Sequence, residues 1–190
     1  ISQQTQLDRA DVYFKLFIKK FPNPETMASS SLKKVLTLWS GLGYNNRAKR
    51  LYESSKILSE TGFDELYPNF EVLPGVGPYT NSAILSFAYS EKVITRDVNV
   101  DRVFSRYFGL KDLKNFINNN KKLLLNRVSS RDLNQAIMDF GSMVCKSRNP
   151  LCSTCVLEKS CEKNIVKIKR PREAFSGSSR ELRGALLKLL

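Results

Sequence analysis

The chain has 190 residues, with 31 Lys or Arg against 18 Asp or Glu and no His, which leaves a formal charge of +13. With 42% hydrophobic and 10% aromatic residues it can build a core, and it is no disordered polycation. The missing His excludes Ser-His-Asp and Cys-His catalysis, His-ligated zinc and non-haem iron triads, so any general acid or base is Asp, Glu, Lys, Tyr or Cys.

The positive surplus fits a polyanionic partner or simply a soluble basic surface, and charge alone does not separate the two. No apolar run reaches transmembrane length, and Ile1-Ser2-Gln3-Gln4-Thr5-Gln6 lacks the charged-then-apolar pattern of a signal peptide. A cytoplasmic location without a membrane partner is expected, nucleoid-associated if the source is bacterial.

Val12, Tyr13, Leu16, Phe17 and Phe21 recur at helical spacing and predict a first helix, stopped by Pro22 and Pro24. Leu32, Val35, Leu36 and Trp39 predict a second, ended by Gly41-Leu42-Gly43. Ala48, Leu51, Ser55 and Leu58 mark a third, with Arg47, Lys49 and Arg50 near its start. After a turn at Pro68 comes Leu73-Pro74-Gly75-Val76-Gly77-Pro78, then an apolar helix from about Thr80 to Tyr89. Val93 and Ile94 are too short a run for a sheet. Further helices are expected over Val100 to Phe108, Lys111 to Asn118, Asn120 to Val128 and Arg131 to Val144. With no repeat and no alternating pattern, the expected class is all-α.

Past Gly141 lie Cys145, Cys152, Cys155 and Cys161, the only cysteines of the chain, spaced C-x6-C-x2-C-x5-C. Disulfides do not suit a cytosolic chain. A structural zinc site satisfies the ligand count but usually presents two short C-x2-C knuckles, whereas four thiolates in one irregular loop suit a 4Fe–4S cluster with one Cys per iron. Leu73-Pro74-Gly75-Val76-Gly77 sits between helices, and its glycines permit a tight turn and close backbone approach. The helix after it offers amides and a favourable dipole end to a phosphate. An ordinary helix connection reads the same way. Asp97, in Arg96-Asp97-Val98-Asn99-Val100, is most simply the N-cap of the next helix. One carboxylate oxygen can cap while the other faces a substrate.

Together the hairpin, Asp97 and the four-cysteine loop resemble the helix-hairpin-helix DNA glycosylase superfamily, the endonuclease III and MutY group, over Ile1 to about Cys161. The resemblance implies a barrel of helices beside a smaller 4Fe–4S subdomain, with double-stranded DNA bound across the cleft and one nucleotide flipped out. Three parts are expected: residues 1–110 as the barrel with its hairpin, 111–165 as the cluster subdomain, and 166–190 as a basic linker and a C-terminal helix. The linker carries Lys167, Lys169, Arg170 and Arg172, and the helix carries Leu182, Leu186 and Leu190.

Endonuclease III-like bifunctional enzymes place a Schiff-base lysine where this chain has Tyr79, so a strand-cleaving lyase is disfavoured. Gln3-Gln4-Thr5-Gln6, Trp39 to Tyr44, Asp97-Val98-Asn99-Val100 and Asn134 to Gly141 resemble the MutY-like adenine glycosylases, although that branch usually has Gly where Val98 stands. The resemblance implies hydrolysis of an N-glycosidic bond in DNA, with adenine opposite 8-oxoguanine or guanine as substrate, by a monomer that recognises a mismatch or oxidised guanine. A carboxylate near the sugar stabilises the developing oxocarbenium ion or traps it. Asp97 takes that role, Tyr79 assists and Asn99 orients the aspartate. Gln3, Gln4, Thr5, Leu42 and Tyr44 match positions that enter the duplex, Gly75, Val76 and Gly77 the phosphate-binding hairpin, and Cys145, Cys152, Cys155 and Cys161 the cluster ligands. Gln135 has the donor and acceptor needed to read adenine, and equally reads as a solvent-facing helical Gln.

The family's acid, a glutamate shortly before Gln-Gln-Thr, falls ahead of Ile1 on this alignment. The 190 residues are therefore expected to be a catalytic core cut short at both ends, without the domain that helps many adenine glycosylases recognise 8-oxoguanine. A mismatch thymine or uracil glycosylase of the same superfamily and a non-catalytic DNA-binding iron–sulfur protein are the alternatives.

Overall fold

A computed structural model describes residues 1, 5–110, 112–163, 176, 177, 181 and 185. The expected basic linker residues and most of the expected C-terminal helix lie outside them, as do Gln3 and Gln4. Among the described residues the structure is helical, with no strand, and no helix is long and apolar enough to cross a membrane. Contacts divide the chain into two units, one built on Ile1–Val76 and the other on Gly77–Ile168.

In the first unit α1 (Leu7–Lys20) presents Phe17 inward, edge-on to Trp39 with ring centroids 5.6 Å apart, and Phe21 follows at the helix end. Pro22 ends α1, but Pro24 is the first residue of a short helix, α2 (Pro24–Ala28), that the periodicity did not predict. Its start is held by Asn23, whose side chain accepts from Thr26 N at 2.9 Å; proline is tolerated there because that amide would be unpaired anyway. Ser31 caps α3 (Leu32–Trp39), and α4 (Asn46–Thr61) packs on α2 and α3. Val35, Trp39 and Ala48 are essentially inaccessible at the centre of this core.

The second unit begins with α5 (Pro78–Phe87), which starts at Pro78, two residues earlier than expected. Then come α6 (Val98–Phe108), α7 (Leu113–Leu124) and α8 (Ser130–Met143). The two helices expected over 111–128 are one, because nothing between Asn118 and Asn120 interrupts the backbone ladder. Asn120 donates its side-chain amide to Phe116 O at 2.9 Å instead of breaking the turn. α6 packs on both α7 and α8, so it shares a unit with the cysteine-bearing segment.

A polar cluster ties this unit together. Asn134 on α8 is fully buried; its Oδ1 accepts from Thr95 N at 2.9 Å, and its Nδ2 donates to Ser86 Oγ on α5 and to Val93 O, each at 2.9 Å. Ser130 also bonds the backbone of Val93. The extended stretch 93–95 has no neighbouring strand to pair with, and these side chains take over its backbone hydrogen bonds. Asn134→Leu leaves Thr95 N–H buried without an acceptor and should cost about 3 kcal/mol. Denaturant unfolding followed by far-UV circular dichroism measures it, and a loss below about 1 kcal/mol would show that the amide does not hold the segment.

Candidate active site

Asp97 follows that pinned stretch and opens α6. Its neighbour Arg96 is turned aside by a two-pronged pair with Asp101, at 2.9 and 3.1 Å. Asp97 Oδ1 accepts from Asn99 N at 2.9 Å and Val100 N at 2.7 Å, which makes it the helix cap. Among the described residues its Oδ2 accepts only from Asn99 Nδ2, at 2.9 Å, and keeps lone-pair capacity for another group. The amide orientation of Asn99 is dictated from behind, since its Oδ1 accepts from Arg102 Nη2 at 2.7 Å and arginine can only donate. Arg102 also donates to Cys145 O at 2.8 Å and Gly141 O at 2.6 Å. One unbroken chain of hydrogen bonds thus runs from the Asp97 carboxylate to the backbone of the first cysteine. Burial and the neighbouring Arg106 lower the Arg102 pKa, while Cys145 and Asp97 oppose the shift.

α8 comes close enough for this only because residue 141 is glycine. A Cβ there would lie 2.7 Å from Asn99 Cβ and 3.3 Å from Asn99 Cα. Val98, where the resembling branch has Gly, sits at the first helical position and is 77% exposed. Tyr79 is the second residue of α5, 40% exposed, and its phenol feels Asp97: burial first, then that carboxylate, push its pKa above the ordinary tyrosine range. The Asp97 carboxylate, bonded to Asn99, is thus near enough to Tyr79 to act on its phenol. Gln135 does not join them. It is exposed on α8 and donates to Asp139 Oδ1 at 2.9 Å.

In the first unit Tyr44 is exposed at the 41–44 turn with φ of 51°, whereas Leu42 is buried in the core. Arg47 lies over the rings of Trp39 and Tyr44, 5.1 and 5.6 Å from their centroids, and donates to Thr5 Oγ1 at 3.2 Å. Gly75 has φ of 86° and backs onto α4, where a Cβ would meet the Arg50 side chain at 3.1 Å. Val76 N closes the turn on Leu73 O at 3.0 Å. Gly77, in the second unit, caps α5 in extended conformation with nothing within 4 Å of where its Cβ would stand.

The four cysteines are free, half-buried thiols that line one pocket with Val103, Phe140, Val144 and Leu151. Two short 3₁₀ turns, Cys152–Thr154 and Glu158–Ser160, shape the loop, and Cys145 N is held by Phe140 O at 2.8 Å. Four soft sulfur donors around an apolar pocket are a donor set for iron–sulfur or zinc chemistry. Among the described residues no three ligand-type side chains gather about one point, as a single ion requires.

Arg102, Arg106, Asn134 and Gly141 were not singled out by the sequence reading. Three are polar residues on amphipathic helices that read as solvent-facing. The available signal was spacing, since Arg102 and Arg106 lie on the helix that Asp97 caps, and 134–141 was already a motif.

The model of the HhH-GPD superfamily base excision DNA repair protein matches residues 1–125. Among curated proteins, the adenine DNA glycosylase of Buchnera aphidicola (subsp. Baizongia pistaciae) is 37% identical over 171 residues, covering 84% of this chain and 48% of its own length. The adenine DNA glycosylase of Mycobacterium tuberculosis is 32% identical over 202 residues, covering 99% and 66%. The chain spans about half the length of the first curated relatives it matches. The solved structure of a thermostable thymine-DNA glycosylase superimposes with a TM-score of 0.75 at 26% identity, over 85% of this chain and 78% of that one.

The Tyr79 shift makes a pH-dependent prediction. A phenol whose pKa is raised on folding favours the native state below its unfolded pKa, and that contribution is lost as pH rises through the folded value. In Asp97→Asn the Tyr79 titration, followed by NMR with ring-labelled tyrosine, should move down toward the ordinary value without reaching it, because burial persists. An unmoved titration would show that carboxylate and phenol do not communicate.

Proposed function

The chain belongs to the HhH-GPD superfamily of base excision DNA repair proteins, and from that footing we propose that it removes adenine mispaired with 8-oxoguanine or guanine. The relatives named adenine DNA glycosylase support the substrate, and the fixed Asp97 carboxylate is the observation that carries the chemistry. The reaction is hydrolysis: the bond between C1′ and the adenine nitrogen breaks, the base leaves with a proton, and water adds at C1′. Positive charge develops on the sugar as the base departs. A carboxylate held by backbone amides and by Asn99 is already oriented and needs no reorganisation to meet that charge. Asn99 is a positioning residue, and Tyr79 places a neutral phenol beside the same centre. With Tyr79 where a lysine would form a Schiff base, the enzyme is monofunctional.

Base flipping leaves a gap in the stack, which exposed Tyr44 suits as an aromatic filler, its turn anchored by buried Leu42. Gln3, Gln4 and Thr5 complete the contacts to the opposite base. Gly75, Val76 and Gly77 meet a DNA phosphate, for which the open face of Gly77 and the α5 amides leave room. Gln135 reads the adenine edge if it releases Asp139. Cys145, Cys152, Cys155 and Cys161 hold a 4Fe–4S cluster, which when bound supplies a rigid cross-link for residues 145–161. The partner is mismatched or oxidised double-stranded DNA, the protein acts as a monomer in the cytoplasm, and the division into parts 1–110, 111–165 and 166–190 belongs to the same reading.

The likeness to a thymine-DNA glycosylase supports a second reading, removal of thymine or uracil opposite guanine. Single-turnover assays on duplexes with A:8-oxoguanine, A:G, T:G and U:G separate the two. Adenine release is expected, falling about a hundred- to thousandfold in Asp97→Asn. Release of thymine or uracil alone would move the protein to the second reading, and release of no base from any duplex would leave a DNA-binding protein without glycosylase activity.

A further inference from the structure

Two guanidinium groups lie inside the second unit without a salt bridge of their own: Asp97 acts on Arg102 only through Asn99 and at a distance, and Glu158, which lines the pocket with Arg106, pairs with Lys163. Arg106, in the last turn of α6, is 7% exposed, and Arg102 one turn earlier is half-buried. Lys15–Asp11, Lys49–Glu53, Arg96–Asp101 and Lys163–Glu158 are ion pairs among the described residues, and neither arginine takes part in them. Arg106 donates to Lys146 O at 2.7 Å, Ser147 O at 3.3 Å and Cys145 O at 3.4 Å. Its remaining acceptor is the Cys145 sulfur, at 3.5 Å. Carbonyl oxygens satisfy donors, but they do not neutralise a charge, and a buried unpaired cation is costly. Arg106 also lines the pocket that the four cysteines share. One further contact binds the same helix end to the loop, with Cys161 Sγ at 3.6 Å from Arg106 O, and within the loop Lys163 N donates to Cys161 Sγ at 3.4 Å.

Charge completes the picture. A 4Fe–4S core of about two positive charges, bound by four thiolates, leaves a group of roughly −2. We infer that Arg106 is the internal counter-charge of the metal group held by Cys145, Cys152, Cys155 and Cys161, and that it donates an N–H···S hydrogen bond to Cys145 while its carbonyl contacts hold the turn at 145–147. The inference rests on the cluster reading proposed above. Lysine does not reproduce it, because a compact ammonium lacks the planar fork that reaches three carbonyls and a sulfur together. A cation and a hydrogen bond at a ligand sulfur both favour the more negative, reduced state of a cluster, so Arg106 raises its potential.

The test compares the full-length protein with Arg106→Gln, Arg106→Lys and the exposed loop control Lys159→Gln. Iron and sulfide per chain, the rate of visible bleaching by ferricyanide and the midpoint potential are measured, with circular dichroism to confirm folding. Arg106→Gln should bleach about ten- to hundredfold faster and show a more negative midpoint. Arg106→Lys keeps the charge but loses the fork, so its midpoint should fall less than that of Arg106→Gln while its bleaching quickens. Parent-like bleaching and midpoint in both Arg106 variants would overturn the inference, as would equal effects from Lys159→Gln. If the parent purifies with zinc, the cluster reading fails, and the same variants then test the counter-charge through zinc release to a chelator. A parent that binds neither metal overturns both.

Discussion

The second unit depends on one arginine that can only give hydrogen bonds. Arg102 stands between the side chain of Asn99 and the carbonyls of Gly141 and Cys145, and each of those acceptors has one way to meet it. Because the guanidinium takes the Asn99 oxygen, the Asn99 nitrogen is left for Asp97 Oδ2, while the amides of Asn99 and Val100 hold its other oxygen. The same cation ties α6 to the end of α8 and to the start of the cysteine loop. The site and the proposed cluster pocket therefore share a support.

The approach of α8 to α6 is set by the bare backbone of Gly141 against Asn99, and Asn134 secures the other end of α8 to the stretch that delivers Asp97. Polar groups buried in this way gain specificity more than raw stability, since every partner must be in place before any of them is satisfied. The first unit is organised differently. Aromatic packing of Phe17 on Trp39, with Arg47 across the outer ring faces, makes a core in which geometry is set by shape.

Most helices were readable from periodicity, because α3, α4, α6 and α8 each set a buried face against a wet one, whereas α1 buries Phe17 but leaves Val12 and Leu16 exposed. α2 was hidden: five residues are too short for a period, and Pro24 reads as a breaker when it is in fact a starter. The asparagine-rich middle of α7 looked like a break because asparagine often leaves helices, yet here its side chain bonds back along the same helix. In the site, Asp97, Asn99, Tyr79 and the cysteines stood out by motif. Arg102 and Arg106 did not, because an arginine buried by carbonyl acceptors looks in sequence like any solvated one.

Trp39 is the only tryptophan of the chain, and it lies 1% exposed in the first unit with a guanidinium over its ring. Intrinsic fluorescence is therefore a reporter with a restricted field of view. It follows the melting of the Phe17–Trp39 core and the loss of Arg47 from the ring, and it is blind to fraying of the helices that carry Asp97 and the cysteines. A partly unfolded protein with a lost cysteine loop can emit like the native one, so light at a single wavelength is a poor criterion of an intact fold.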